Sequence, residues 1–151
     1  AETGDTTYLQ MRSGLEVVCL DRIDGVIPLR TPVLEIGGRR PLGFGASGVA
    51  MLATMDDERV REALKALDRE ITNHPRITHN ILLRAVTAAR ANGYGLVRDT
   101  TVLGIGGVGV VLPAKAGRPM LGLGVAMPSE RLSAARVEQI YRLLCEARAK
   151  L

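Results

Sequence analysis

RRPLGFGASGVAMLAT, residues 39–54, is the stretch on which the fold turns. A proline entry and the spaced glycines Gly43, Gly45 and Gly48 lead into a short helix of small residues. The first amides of such a helix have no intrahelical partner and carry partial positive charge, so they suit an anion or the polar edge of a ligand. Gly43, Gly45, Ala46, Ser47, Gly48 and Ala50 are also what a helix needs in order to lie close against a sheet. Taken alone, the stretch favours close packing over a site.

The strands further along restore the balance. In the run 120–127, Gly122, Gly124 and Ala126 share one face while Leu121, Leu123, Val125 and Met127 share the other, because side chains alternate along a strand. Gly104, Gly106, Gly107 and Gly109 repeat the oddity in the run 102–112. Glycine inside a strand marks a bulge, or a place where a ligand or another backbone comes close. Two adjacent strands with bare faces make a hollow, and the small-residue helix is its natural cover. A pocket is then at least as well supported as tight packing.

Around these parts the order is strands, helices, strands, helix. Residues 6–11 and 15–20 are β-prone runs separated by Arg12, Ser13 and Gly14, which suits a hairpin. Residues 26–29 form a third apolar run in which Pro28 favours a strand end, and Gly37 and Gly38 break the chain after it. Asp56 and Asp57 are N-cap residues for a helix whose apolar face is Val60, Leu64, Leu67 and Ile71. Thr78 caps a second helix with Ile81, Leu82, Ala85, Val86 and Ala89 inward and Gly93 as its C′ residue. After strands at 94–97, 102–112 and 120–127, Ser133 caps a last helix with Val137, Ile140, Tyr141 and Leu144 on its inner stripe. This is an α+β domain with an antiparallel sheet, expected to occupy 1–151 as one unit.

A chain of 151 residues removes roughly two-thirds of its unfolded surface from water and holds a real core. With 46% hydrophobic but 3% aromatic residues and 17 glycines, that core is aliphatic and its elements lie close. The net charge of +4 is spread along the chain among 16 acids, with only Arg39 and Arg40 adjacent near a glycine turn, so direct nucleic-acid binding by this segment is not expected. Cys19 and Cys145 sit in apolar settings without a CxxC pair, which fits reduced cytosolic thiols rather than zinc or disulfides. Nothing in the sequence offers a membrane span or a signal peptide. The chain starts at Ala1, so a fragment is expected.

GIGGVG (104–109) matches GxGxxG but leads into Val110, Val111 and Leu112 rather than a helix, and GFGASG (43–48) lacks the strand and the acid that a dinucleotide site needs. His74 and His79, the only histidines, fall about 140° apart on a helix with Pro75 between them, and read as a cap and a surface imidazole. Ser47 lacks the nucleophile elbow and Cys19 reads as a small buried hydrophobe. No catalytic group, cofactor or metal is expected.

With the motifs GGRRPLGFGASGVAMLA (37–53), ARANGYGLVRD (89–99), GIGGVGVVLPA (104–114) and GLGVAMPSERL (122–132), in that order and spacing over nearly the whole chain, the sequence resembles the C-terminal effector-binding domain of the isocitrate-lyase-regulator (IclR) type of bacterial transcription factor. The resemblance implies a GAF-like fold: a curved antiparallel sheet of about six strands with helices on both sides, holding a small molecule in its hollow. It also implies a homodimer or homotetramer in the cytoplasm, with operator DNA bound by a winged helix-turn-helix domain, nothing like which precedes Ala1. Family ligand contacts match Ala46, Ser47, Val97, Ile105, Gly107, Gly124 and Ala126 here.

Members that bind small oxo-acids offer an Asp, a Cys and two Ser at the positions of Val97, Gly107, Gly124 and Ala126, and a His, a Thr or Ser and a Lys where this chain has Gly43, Gly45 and Val49. Losing polar groups and volume together implies a wider, more apolar pocket, suited to an aromatic or similarly hydrophobic metabolite, with Ser47 and the helix-entry amides orienting one polar edge. Gly124→Leu would then fill the hollow and abolish binding. Two other readings stay open: a small GAF-like enzyme using Cys19, and a dimerisation module whose hollow is filled by its own side chains.

Overall fold

Alternating apolar residues and glycine-bearing turns build a six-stranded curled antiparallel sheet in the order β3-β2-β1-β6-β5-β4. The computed structural model describes residues 3–27, 29 and 34–151. Strands β1 (Thr6–Ser13) and β2 (Glu16–Ile23) form the expected hairpin about Gly14, whose φ of +63° favours glycine. Between them the register slips at Leu9/Gln10, so that Gln10 opposes Cys19 and Leu9 opposes Asp21, leaving Leu20 as the extra residue of a bulge.

The third strand is not the apolar run at 26–29. Pro28 lies outside the described residues, and Val26 and Ile27 form bends, Val26 being 88% exposed. Instead β3 (Arg39–Pro41) pairs with Glu16, Val17 and Val18. The turn at Gly37 and Gly38 delivers it, through backbone bonds from Gly37 N to Cys19 O (2.7 Å) and from Cys19 N to Gly38 O (3.0 Å).

Helix α1 (Ala46–Ala53) follows with Gly45 as N-cap, and it buries Val49, Met51 and Leu52 completely. Each such side chain contributes roughly 1.5–3 kcal/mol. The next helical stretch, expected as one piece, is two: α2 (Asp57–Ala66) and α3 (Asp68–Asn73), separated at Leu67, whose φ and ψ of −95° and 10° leave the helical region. Val60, Leu64, Leu67 and Ile71 are nevertheless all buried, so the break bends the apolar stripe without removing it. Helix α4 (His79–Asn92) starts on the Thr78 hydroxyl, which accepts from Ile81 N, and ends at left-handed Gly93. It buries Leu82, Val86 and Ala89, leaving Ile81 and Ala85 half-buried.

The remaining strands are β4 (Gly95–Arg98), β5 (Ile105–Val111) and β6 (Leu121–Pro128), and α5 (Ala134–Ala149) is capped by Ser133. Strand β5 begins three residues later than its apolar run, because Asp99 turns the chain with φ +59° and accepts from Gly104 N (2.9 Å) and Ser129 Oγ (2.5 Å). Helix α5 covers one face of the sheet, packing Val137, Ile140 and Leu144 on Val108, Val110, Val125 and Met127. Helix α1 covers the other, with α4 beside it and a core running from Val17 through Leu52 to Ile71 and Val86 behind.

Candidate functional site

Register fixes what lies beneath α1. Across β1, β6, β5 and β4 one row reads Tyr8, Gly124, Gly109, Gly95 and the next Thr6, Ala126, Gly107, Val97. A third, shorter row is Gln10, Gly122, Val111. Because residues directly opposite share a face, all these side chains point toward α1.

The bare positions divide into two kinds. A Cβ on Gly95 would lie 2.0 Å from Ala46 O, one on Gly109 2.4 Å from Ser47 N, and one on Gly122 2.9 Å from Ser47 Cβ. These three glycines let the helix touch the sheet. At Gly107 and Gly124 no α1 backbone comes so near: the closest α1 atoms are Ala46 Cβ at 3.7 Å and Ser47 Oγ at 3.3 Å. Close packing and a hollow therefore coexist on one face of the sheet.

The hollow is a single cavity, and Ala46, Ser47, Val97, Ile105, Gly107, Gly124 and Ala126 all line it. Gly45, Gly106, Val125 and Val102 complete its apolar wall. It is narrower than the lost polar groups imply, with about 40 Å³ of room for water-sized molecules. A larger groove bounded by Arg12, Thr54, Arg118 and Met120 lies elsewhere, on the surface.

Its polar groups differ from those expected. The Ser47 hydroxyl donates to Gln10 Oε1 in a buried bond, so it serves the protein rather than standing ready for a ligand. A first carbon added at Gly124 would already press on that pair, 3.3 Å from Ser47 Oγ and 3.7 Å from Gln10 Oε1. Thr101 and the half-buried Arg40 also line the cavity, and sequence reasoning overlooked Gln10, Arg40 and Thr101 alike. The signal for Arg40 was strand alternation: in β3, Arg39 faces solvent and Arg40, opposite Val17, faces the hollow.

Burial lowers the Arg40 pKa from its ordinary value, the mark of a cation drawn out of water. Burial likewise raises that of the Tyr8 phenol, with Arg22 and Arg40 pulling against it. Cys19 is 1% exposed, its thiol donates to Asp21 O at 3.4 Å, and burial raises its pKa. Those are the properties of an inert buried thiol, opposite to what a nucleophile needs.

The loop 99–104 closes one side of the cavity. The Thr101 hydroxyl donates to Phe44 O at the entry to α1. From outside, Arg76 Nε donates to Thr100 O (3.2 Å) and His74 Nε2 lies 3.3 Å from Thr101 O. His74 Nδ1 accepts from Arg76 N and Ile77 N, both at 3.1 Å, so its proton sits on Nε2 and points at the loop. The cap reading of His74 is correct but incomplete, since the ring also grips a cavity wall. His79 pairs with Asp68 on the surface (2.7 Å).

Among the described residues no cluster of three or more His, Cys, Asp or Glu could hold a metal, and no helix is long and apolar enough to cross a membrane. The family description "Bacterial transcriptional regulator IclR C-terminal" matches residues 1–151. The HTH-type transcriptional regulator KdgR of Escherichia coli is 27% identical over 150 residues, spanning 99% of this chain and 57% of the relative. The crystal structure of the Thermotoga maritima IclR matches with a TM-score of 0.85 at 24% identity, over 99% of this chain and 60% of that one. The C-terminal domain of E. coli KdgR matches with a TM-score of 0.78 at 24% identity, over 99% and 86% of the two chains. The chain thus spans little more than half the length of the curated relative, and the structural likenesses speak for the fold.

Proposed function

The chain belongs to the IclR family of bacterial transcriptional regulators, matching its C-terminal domain, and on that premise we propose that residues 1–151 form a ligand-sensing and oligomerising domain. A hydrophobic or aromatic metabolite enters the hollow and alters how the DNA-binding domain of the same regulator engages its operator. The domain performs no chemistry and uses no cofactor. Working in the cytoplasm as a homodimer or homotetramer, it responds because the ligand prefers one of two arrangements of the protomers.

The observation that carries this reading is convergence: all the positions matched to family ligand contacts line one largely apolar cavity under the N-terminus of α1. Its present volume of about 40 Å³ is far below the roughly 150 Å³ of a cavity that admits benzene. Entry of a ring therefore displaces Thr101 and Val102, and with them the grip of His74 and Arg76 just ahead of α4. Binding and loop movement become one event, which is how occupancy would reach the rest of the regulator.

A thermal-shift screen of hydrophobic aromatics against small oxo- and hydroxy-acids tests the reading. A ligand at a hundred times its dissociation constant stabilises by about 2.7 kcal/mol, roughly 5–10 °C in a domain of this size. Shifts with aromatics support the proposal, while shifts confined to the small acids overturn the apolar part of it. The narrowness of the hollow favours a second reading, a dimerisation module without ligand, and absence of any shift would transfer the argument to it.

A further inference from the structure

The polar side chains that line the hollow are Gln10, Arg40, Ser47 and Thr101. Three of them are engaged within the protein: Thr101 donates its hydroxyl to Phe44 O, Ser47 donates its own to Gln10 Oε1, and Arg40 likewise has a partner. Gln10 is engaged at one end alone. Its carboxamide oxygen takes the Ser47 hydroxyl, but the nitrogen of the same group, with two hydrogens to give, has no acceptor among the described residues. The residue is 7% exposed, and the space beside it is the hollow. A buried donor left unmatched costs free energy, which an acceptor on a ligand would recover. The strands direct the group there. Gln10 shares the α1 side of the sheet with Thr6 and Tyr8, and the register with β2 slips at this residue, a bulge of the kind that re-aims a side chain. Beside it on β6 stand Gly122 and Gly124, and a Cβ on Gly124 would lie 3.7 Å from Gln10 Oε1, so the bare strand leaves the carboxamide its room.

We propose that Gln10 is the recognition group of the hollow and that the effector is a neutral carbonyl compound with an apolar or aromatic body. Its oxygen accepts from the Gln10 amide while Val97, Val102 and Ile105 enclose the rest. Ser47 is then a positioning residue: by holding Oε1 it fixes which end of the carboxamide turns toward the ligand. Desolvation decides between a carbonyl and an acid. A carboxylate entering a wall of this kind sheds its water, and the N–H of a neutral amide does not offset that loss, whereas a ketone or ester oxygen gives up far less.

This inference rests on the sensing role proposed above, and the test separates the two. Acetophenone, ethylbenzene (a methylene in place of the carbonyl) and benzoate are titrated into the wild-type chain, Gln10→Met and the cavity-filling Val97→Phe. Nitrogen–proton correlation NMR follows the binding and reads the Gln10 side-chain amide directly. Each variant is first checked for a cooperative unfolding transition. If Gln10→Met does not fold, Gln10→Glu replaces it, since its carboxylate keeps an acceptor for Ser47 but lacks the N–H. The expected result is that wild type prefers acetophenone to ethylbenzene by roughly three- to tenfold and binds benzoate more weakly than acetophenone. The Gln10 side-chain amide protons should move downfield with acetophenone and not with ethylbenzene. Gln10→Met should lose the preference while holding ethylbenzene as before, and Val97→Phe should bind neither. Equal or tighter binding of ethylbenzene by wild type, or a preference that persists in Gln10→Met, would overturn the role of Gln10 and leave the apolar site standing. Benzoate binding more tightly than acetophenone would overturn the neutral effector and likewise leave the site. Failure of all three probes to bind wild type, or unaltered binding in Val97→Phe, would overturn the site and the recognition group together.

Discussion

Gly109→Ala is the substitution that most directly tests how α1 is seated. The added carbon would lie 2.4 Å from Ser47 N and 2.7 Å from both Ala46 C and Ser47 Cα. All three are backbone atoms of the helix entry, so no side-chain rotation relieves the contact. Since ordinary contacts begin near 3.4 Å and this one would stand at 2.4 Å, α1 has to retreat by about 1 Å. The retreat loosens the packing of Val49, Met51 and Leu52, which are fully buried on that helix. Overpacking of this kind costs about 1–3 kcal/mol, with Gly109→Ala near the upper end, and the lower entropy of an unfolded alanine returns roughly 0.5–1 kcal/mol. The net loss is about 2 kcal/mol, or roughly 4–8 °C in the unfolding midpoint of a domain this size. Gly124→Ala is the control, because its new carbon stands at 3.3 Å from Ser47 Oγ, 3.7 Å from Gln10 Oε1 and 3.8 Å from Val108 O, without the backbone clash of Gly109, and its cost stays within about 1 kcal/mol. Urea unfolding followed by circular dichroism measures both. The reasoning fails if Gly109→Ala is as stable as wild type, or if Gly124→Ala loses as much.

Three further outcomes follow from other parts of the fold. Asp5, 3% exposed, is held by Arg136 at 2.6 Å and Arg131 at 3.4 Å, so Arg136→Met leaves a buried carboxylate half-paired and should cost about 3 kcal/mol by chemical unfolding. Asp99 combines a left-handed backbone with two accepted hydrogen bonds; Asp99→Asn should be nearly silent, whereas Asp99→Ala should speed amide hydrogen exchange over 100–104, measured by mass spectrometry. The Arg90 side-chain bond holds the Asp57 carboxyl below its usual value of 3.8. A depressed folded pKa gives stability that is complete above the unfolded value and is lost as pH falls through the folded one. Arg90→Gln should therefore flatten the loss of thermal stability on acidification below about pH 4, and an unchanged slope would count against the pairing.

Legibility in the sequence followed locality. The caps at Asp56, Thr78 and Ser133 each accept the backbone amide three residues on, as their residue types and the apolar periodicity predict, because a cap is decided within one helical turn. The bare faces of β5 and β6 were also readable, since alternation needs only a strand and a parity. Features set by tertiary contact were not. The strand at 39–41 exists because Gly37 and Gly38 bond to Cys19, eighteen or more residues earlier in the chain, and nothing in the tripeptide Arg39-Arg40-Pro41 announces it. The break at Leu67 is similarly invisible, because the apolar stripe continues across it. At the site, position was legible and chemistry less so. The matched positions do share one cavity, but Ser47 looked available from its own neighbourhood and is occupied by Gln10, thirty-seven residues away.

The division of the strand glycines also bears on how such a domain can diverge. Gly95 and Gly109 are held by the backbone of the helix entry and Gly122 by the Ser47 and Met51 side chains, whereas Val97 and Ala126 line the space between helix and sheet. On the sensing role proposed above, a lineage could trade one effector for another through single-residue drift at the second group while the first stays frozen. Novelty of response and persistence of architecture are written into neighbouring positions on one face of the same sheet.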